Sequence, residues 1–406
     1  MTPGFVDELC ALGLAAGLQR IGIATAEPFD DVRETLEARK AAGLSAAMQF
    51  SYRNPARSTD PSRILPGAQA LVVGARGYAA AVAPASSQLQ ARGPLARVAR
   101  YATDDHYGAL RAALEVVAVR LRGDGWAAQV VLDDNALVDR AAAHRAGIGW
   151  YGKNSNILID GVGSWFVLGS VVTDAPLAQA RRTVRAPAAM ASGCGSCARC
   201  LTACPTGAIV EPGVVDARRC LAWLVQAEGV FPRQHRVALG DRLYGCDECQ
   251  EVCPPSARTE RGEGPAAVAV AGVAEPAWVS LVDLLAASDD ELLVAHGRWY
   301  IARRDPDHLR RNALVALANA ATVPVEDRVR DAVERACRHP RPLVRAHAVW
   351  AARRLGLHAT LDSLQDDADP LVQAELAADV ATRAGSTEKN PPPSPSRPSR
   401  PGAPVR

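Results

Sequence analysis

Cys194, Cys197, Cys200 and Cys204, with Pro205 directly after, form a C-x2-C-x2-C-x3-C-P run in the stretch CGSCARCLTACP. This is the bacterial run that holds [4Fe–4S] cubanes. Three thiolates at that spacing converge on one face of a cubane from a tight loop. The turn before Pro205 carries the fourth away, so it ligates a second cluster. A structural zinc site asks for two C-x2-C pairs set apart by a longer spacer, and no such spacer breaks this run.

The matching half is CDECQEVCP, with Cys246, Cys249 and Cys253 ahead of Pro254. It repeats the end of the motif but lacks the first cysteine, and Leu243 stands in that place. Cys220, in DARRCLAW, is the remaining cysteine nearby. Exchange of the last cysteines then gives one set of Cys194, Cys197, Cys200 and Cys253. The other set is Cys204, Cys220, Cys246 and Cys249. Of the chain's ten cysteines, Cys10 and Cys337 lie far outside in helical patterns and read as small buried hydrophobes. Two clusters pass single electrons along a line. The motif does not say which reaction they feed, and a plain electron carrier satisfies it too.

A second polar stretch precedes the clusters, VVLDDNALVDRAAAHRAGIGWYGKNSNILIDGVGSWFVLGS. Asp133 and Asp134 end a strand, where ligands gather in α/β sheets. A turn or a cap for the helix ALVDRAAAHRAG is the plainer account of both. In GIGWYGKN the glycines admit close approach of a large cofactor, with Lys153 and Asn154 supplying charge and amide bonds. No G-x-G-x-x-G follows a strand and no Walker A sequence occurs, so nucleotide binding has no support.

The elements that must position these residues fall into regions, as expected for a chain of 406 residues. Residues 1–185 read as an α/β domain. Its strands are IGIAT, AQALVVGA and AQVVLDD, with the helix HYGALRAALEVVAVRLRGDG between the last two. SNILID and SWFVLGSVVTD flank GVG as an expected hairpin. Residues 186–258 are the cysteine-rich insert and 259–277 a small-residue linker. Residues 278–385 are helical throughout. RPLVRAHAVWAARR and DPLVQAELAADVAT begin alike, with proline in the first turn, which suggests stacked hairpins of the HEAT type. Residues 386–406 are rich in proline and serine and are expected to be disordered.

Net charge is only +2, so the average gives no sign of a nucleic-acid partner. The distribution differs. Between Arg298 and Arg354 stand thirteen arginines against six acids, a balance of +7 that suits a phosphate-tracking stripe. A solvated helix surface gives the same count. Trp299 and Tyr300 serve either the core or a splayed base. Asp7 and Glu8 occupy the place where a secretory signal carries positive charge, and no run of about 18 apolar residues occurs. A cytoplasmic protein with reduced thiols, no membrane contact and a monomeric state is expected.

With VDRAAAHRAGIGWYGKNS upstream, CGSCARCLTACPTGAIVEPGVVDARRC and DRLYGCDECQEVCP together resemble the epoxyqueuosine reductase family. The resemblance runs from about Gly22 to Gly356 and includes PSRILPGAQALVVG and RRNALVALANA. It implies an α/β N-terminal cobalamin-binding and catalytic domain, a ferredoxin-like two-cluster insert and C-terminal all-α HEAT-like repeats that bind tRNA. The activity implied is reduction of the epoxide of epoxyqueuosine, at the tRNA wobble position, to the cyclopentene of queuosine. The cofactors implied are two [4Fe–4S] clusters and a base-off cobalamin resting as cob(II)alamin, fed by a donor such as a flavodoxin or ferredoxin.

The family's proton-donating aspartate falls on Asp133, and its corrinoid contacts fall on Arg57, Ala99, Arg100, Asp133, Ile157, Leu168, Glu248 and Cys249. Arg57 serves equally as a surface arginine. The chain departs from the family in RYATDDHYGAL, which lacks the family's Trp–Gly step, and in carrying Asp134 where a small residue is common. A D-x-H-x-x-G motif for a cobalt-ligating histidine is also missing, because Gly108 comes one position early after His106. Other readings are a dehalogenase-like corrinoid and iron–sulfur reductase, or a multidomain electron carrier.

Overall fold

A computed structural model of the chain describes residues 3–78, 84–180, 193–260 and 277–379. Its strands in chain order are β1 (Arg20–Thr25), β2 (Ala70–Gly77), β3 (Leu95–Val98), β4 (Ala128–Val131), β5 (Trp150–Tyr151) and β6 (Ile157–Leu158). There follow β7 (Phe166–Thr173), β8 (Ile209–Glu211), β9 (Val214–Val215), β10 (Arg242–Tyr244) and β11 (Trp278–Ser280). The main sheet has the order β1-β2-β7-β4, with antiparallel neighbours.

Alternation along the strands sends side chains to two cores. Val72, Val167 and Val171 meet Leu110, Leu114, Val117 and Leu121 of the helix His106–Gly123 on one face. Leu71, Val73, Leu168 and Val172 meet Ala141, Ala142 and Ala143 of the helix Asp139–Arg145 on the other. The sheet is covered on both faces, which is why β7 is buried at every position.

That burial also overturns the expected hairpin across Gly161–Gly163. A strand with no polar face belongs in the middle of a sheet, and β7 runs between β2 and β4. β6 turns back on β5 instead. Only a bridge from Ile159 to Gly163 remains where the hairpin was expected.

A second sheet, β10-β3-β11, takes one strand from each region of the chain. β3 pairs parallel with β10 of the cysteine-rich region and antiparallel with β11 at the start of the helical region. One apolar core continues through this junction, from Val98 and Leu243 to Leu314, Val349 and Val372. The helices Asp307–Ala320, Asp327–Cys337, Pro342–Leu355 and Pro370–Leu376 carry its far end.

Cys337 is buried there, while Cys10 is half-buried in the helix Pro3–Ala15. Among the described residues no helix is long and apolar enough to cross a membrane. Most of the expected linker and the whole expected disordered tail lie outside the described residues.

Candidate active site

The cysteines gather by set and not by order in the chain. Cys194, Cys197, Cys200 and Cys253 line one cavity of about 250 Å³. Burial pushes the Cys200 thiol up to about 11, with further upward contributions from Cys253, Cys194 and Cys197. Cys249 is raised well above the ordinary thiol value, again by burial first, and the neighbours that add to it lead with Cys246, Cys220 and Cys204. Burial likewise pushes Cys246 up to about 12.

Backbone donors are aimed at these sulfurs. The Ala208 amide lies 3.1 Å from Cys204 Sγ. The amides of Trp223 and Ala222, at the start of the helix Leu221–Leu224, hydrogen-bond the Cys220 thiol and lower its pKa against the upward push of burial. Buried thiols with N–H donors fit thiolates that give up their protons to a bound metal. Among the described residues no three such side chains converge on a point as ligands of a single ion would. A cubane spreads its ligands over a larger body than a zinc ion with bonds of about 2.3 Å. Leu243, in the place of the missing cysteine, is fully buried in β10.

At the other end of the site, β7 outruns β4. β4 ends at Val131 opposite Ser170, so Phe166 to Gly169 are paired by β2 alone. Asp133 turns off at this open edge with a φ of 48°, a left-handed conformation that costs a non-glycine residue energy. Solvent reaches the side chain, yet the surrounding walls partly desolvate its carboxyl. That desolvation, and then the Asp134 charge, raise its pKa.

Asp134 supplies the turn, accepting from the Ala136 amide at 2.9 Å. Asp139 opens the next helix and is raised well above the ordinary range by burial and then by the Asp133 charge. Its Oδ1 is buried with no hydrogen-bond partner among the described residues, as is Ser155 Oγ. Such orphaned atoms fit a polar cofactor or substrate. Tyr107 lies alongside, its phenol raised by burial and by the charges of Asp133 and Asp139. The Asp133 charge also reaches Tyr244, two residues before Cys246.

The chain is similar to known proteins over most of its length. The family model for a 4Fe-4S double cluster binding domain matches residues 193–256. An epoxyqueuosine reductase from Staphylococcus aureus is 32% identical over 378 residues, 90% of this chain and 94% of that one. One from Escherichia coli is 34% identical over 350 residues, 84% and 86% of the two chains. The chain belongs to the epoxyqueuosine reductase family.

Among solved structures, a Bacillus subtilis epoxyqueuosine reductase, with its catalytic aspartate loop swung out of the active site, superposes with a TM-score of 0.78 at 29% identity. The match covers 92% of this chain and 97% of that one. An epoxyqueuosine reductase with an epoxyqueuosine-modified stem loop of tyrosine tRNA gives 0.77, with the same identity and coverage. As a member of the epoxyqueuosine reductase family, the chain is an oxidoreductase.

The other site residues expected from the family take varied places. Arg57 is exposed on the short helix Pro55–Ser58. Its loop is tied to the Asp133 turn, because the Ser51 amide donates to Asn135 Oδ1 at 3.0 Å and Ser58 Oγ to Asn135 O at 2.8 Å. Ala99 is buried against Gly245, whose φ of 75° and closeness to Ala99 leave no room for a side chain. Arg100 stacks over Trp165, and its amide donates to Asp247 at 2.8 Å. Ile157 and Leu168 are buried in the sheet core, with Leu168 on the open edge of β7. The carboxylate of Glu248 is engaged by Arg242 and Arg97.

Two expectations change. Lys153 and Asn154 serve the cysteine loops, Lys153 Nζ donating to Gly195 O at 2.8 Å and Cys197 O at 2.9 Å. Asn154 Nδ2 donates to Cys249 O at 3.1 Å. Gly149 is small because its own hairpin folds back on it, with Leu158 O 2.3 Å from where a Cβ would stand.

The arginines of residues 298–354 do not form one outward stripe. Arg311 is fully buried on the carbonyls of Leu224, Val225, Ala227 and Gly229. Arg310 is buried on Asp289 and Asp307, and Arg345 grips Asp367. Arg335 and Arg338 are exposed, with no ion pair among the described residues. Trp299 is a core residue, stacked on Tyr244 at 4.5 Å, whereas Tyr300 is 55% exposed. Asn135, Tyr107 and Asp139 were not singled out from the sequence for this site. Their nearest signal was position, beside the two acids or beside His106.

Proposed function

We propose that the chain reduces the epoxide of epoxyqueuosine in tRNA to the cyclopentene of queuosine. The single observation that carries this reading is the accessible Asp133, its pKa raised by burial, at the open end of β7, next to a fold that gathers eight thiols in two sets. Removing an epoxide oxygen as water takes two electrons and two protons. Cys194, Cys197, Cys200 and Cys253 hold one [4Fe–4S] cluster and Cys204, Cys220, Cys246 and Cys249 the other. Arg57, Ala99, Asp133, Ile157, Leu168, Glu248 and Cys249 would border a bound cobalamin. When bound, these groups would supply single electrons at the substrate.

Asp133 holds a proton at its carboxyl and gives it to the departing oxygen. Its raised pKa keeps it in the acid form at higher pH than an ordinary aspartate. Asp134 and Asn135 fix the turn that aims it. The domain of residues 1–185 binds corrinoid and substrate base, and residues 186–258 bind the clusters. Residues 278–385 act as HEAT-like repeats that bind the tRNA, with Arg335, Arg338 and Tyr300 as exposed contacts.

Isolation without oxygen tests the reading. Corrinoid absorbance, about eight irons per chain and conversion of epoxyqueuosine tRNA to queuosine tRNA are expected. A single zinc ion without corrinoid, or full cofactor content with no conversion, contradicts it.

A further inference from the structure

We propose that the mouth of the cavity lined by Cys194, Cys197, Cys200 and Cys253 is the docking surface for an acidic one-electron carrier protein, gripped by Arg199 and Arg258. The inference rests on the reductase reading above, which requires that electrons enter the chain somewhere.

Among the described residues the cavity is lined, alongside the four thiols, by three cations, Lys153, Arg199 and Arg258, and by no carboxylate. The three are not equivalent. The Lys153 ammonium is spent on the carbonyls of Gly195 and Cys197 and latches the cysteine loop. Arg199 and Arg258 are exposed, and among the described residues neither guanidinium has an ion pair or hydrogen bond. Other arginines of the same region are paired, Arg97 with Asp241, Arg100 with Glu251 and Arg218 with Asp216. Two guanidiniums at a rim that carries no acid among the described residues attract and orient a carboxylate-bearing surface.

Depth points the same way. Gly193, Gly195, Ser196, Ala198 and Arg199 of the first loop are exposed. Around Cys220 and Cys246 stand Leu221, Leu224, Leu243 and Tyr244, none more than 5% exposed, although Arg218 and Arg219 beside Cys220 face solvent. Electron tunnelling weakens steeply with distance, so a carrier exchanges electrons best against the shallower set. Each encounter oxidises the carrier by one electron and reduces the centre held by these four thiolates by one. No covalent bond forms or breaks, and two encounters furnish the two electrons of a turnover. A nucleic acid at this rim brings no electron, and the reacting base belongs at Asp133, so the surface suits a protein.

The test uses the full-length chain carrying its clusters, with oxidised flavodoxin as the probe, titrated by fluorescence at about 50 mM and about 300 mM salt. Binding is expected to weaken at least about tenfold between the two salts, and at least about tenfold in Arg199→Glu/Arg258→Glu at the lower one. Iron content and the rate of cluster bleaching by reduced methyl viologen report that the loop is intact, and both are expected to hold. Should the reversed pair lose iron, Arg199→Gln/Arg258→Gln replaces it. Iron loss there too makes the arginines part of cluster retention and overturns the proposal. Flavodoxin binding within twofold of the unaltered chain also overturns it, as does a loss confined to binding of the tRNA stem loop. Salt-sensitive, arginine-dependent flavodoxin binding by a chain that never converts epoxyqueuosine tRNA sinks the reductase reading and leaves the docking surface standing.

Discussion

The cysteines between residues 194 and 253 and the arginines between 298 and 354 are both dense runs of one residue type, and the fold treats them oppositely. The cysteines end as two groups of neighbours, sorted across the halves of the run. The arginines scatter. Some go inside on carbonyls, some meet acids, and few face solvent without a partner. A thiolate has one use in such a run, and the metal body that it serves fixes the spacing. A guanidinium carries five donors on a long stem and is satisfied by carbonyl, carboxylate or water alike. Spacing therefore tells which thiols come together, whereas a charge count does not say where the charge is spent.

The sharpest way to break this contrast is Cys220→Ala, because Cys220 stands outside both repeated motifs. Iron is expected to fall from about eight to about four atoms per chain, with tRNA conversion lost. Retention of about eight irons removes Cys220 from the ligand set. Next comes Arg311→Met on the arginine side. Burial and the neighbouring Arg236 charge pull the Arg311 pKa down to about 9, yet its donors satisfy four carbonyls. Orphaning those carbonyls is expected to cost about 3–5 kcal/mol in denaturant unfolding. A loss below about 1 kcal/mol means that the carbonyls do not depend on this guanidinium. The smallest effect is expected for Arg335→Ala/Arg338→Ala, two exposed charges. Stability should stay within about 0.5 kcal/mol. The salt slope of stem-loop binding should drop by about one to two. An unchanged slope moves the RNA contact elsewhere.

The same distinction explains what was legible in the sequence. β1, β2, β4 and β7 are short apolar runs whose pattern is local, and they stand where IGIAT, AQALVVGA, AQVVLDD and SWFVLGSVVTD place them. The partners of β7 are not local, which is why a nearby turn suggested a hairpin with SNILID. The sheet β10-β3-β11 was missed for a related reason. Its strands are three or four residues long and meet across more than a hundred residues of chain. No periodicity announces such a pairing.

In the site, Asp133 was found from its family position, but its left-handed backbone and its neighbours Tyr107 and Asp139 are products of the folded turn. Lys153 and Asn154 were legible as polar residues in a glycine-rich turn. Their use in holding the cysteine loops depends on contacts made about forty and ninety-five residues away.

Single-turnover reduction of an epoxyqueuosine stem loop by chemically reduced Asp133→Asn, followed across pH, tests the central claim most directly. The Asn chain should keep its corrinoid and about eight irons and lose about 10²-fold or more in rate. In the unaltered chain the acid form is the active one. Its rate should therefore hold at low pH and fall as pH rises through the raised Asp133 pKa, a decline absent from the variant. A variant that converts the stem loop at the full rate, with the same pH dependence, contradicts the account.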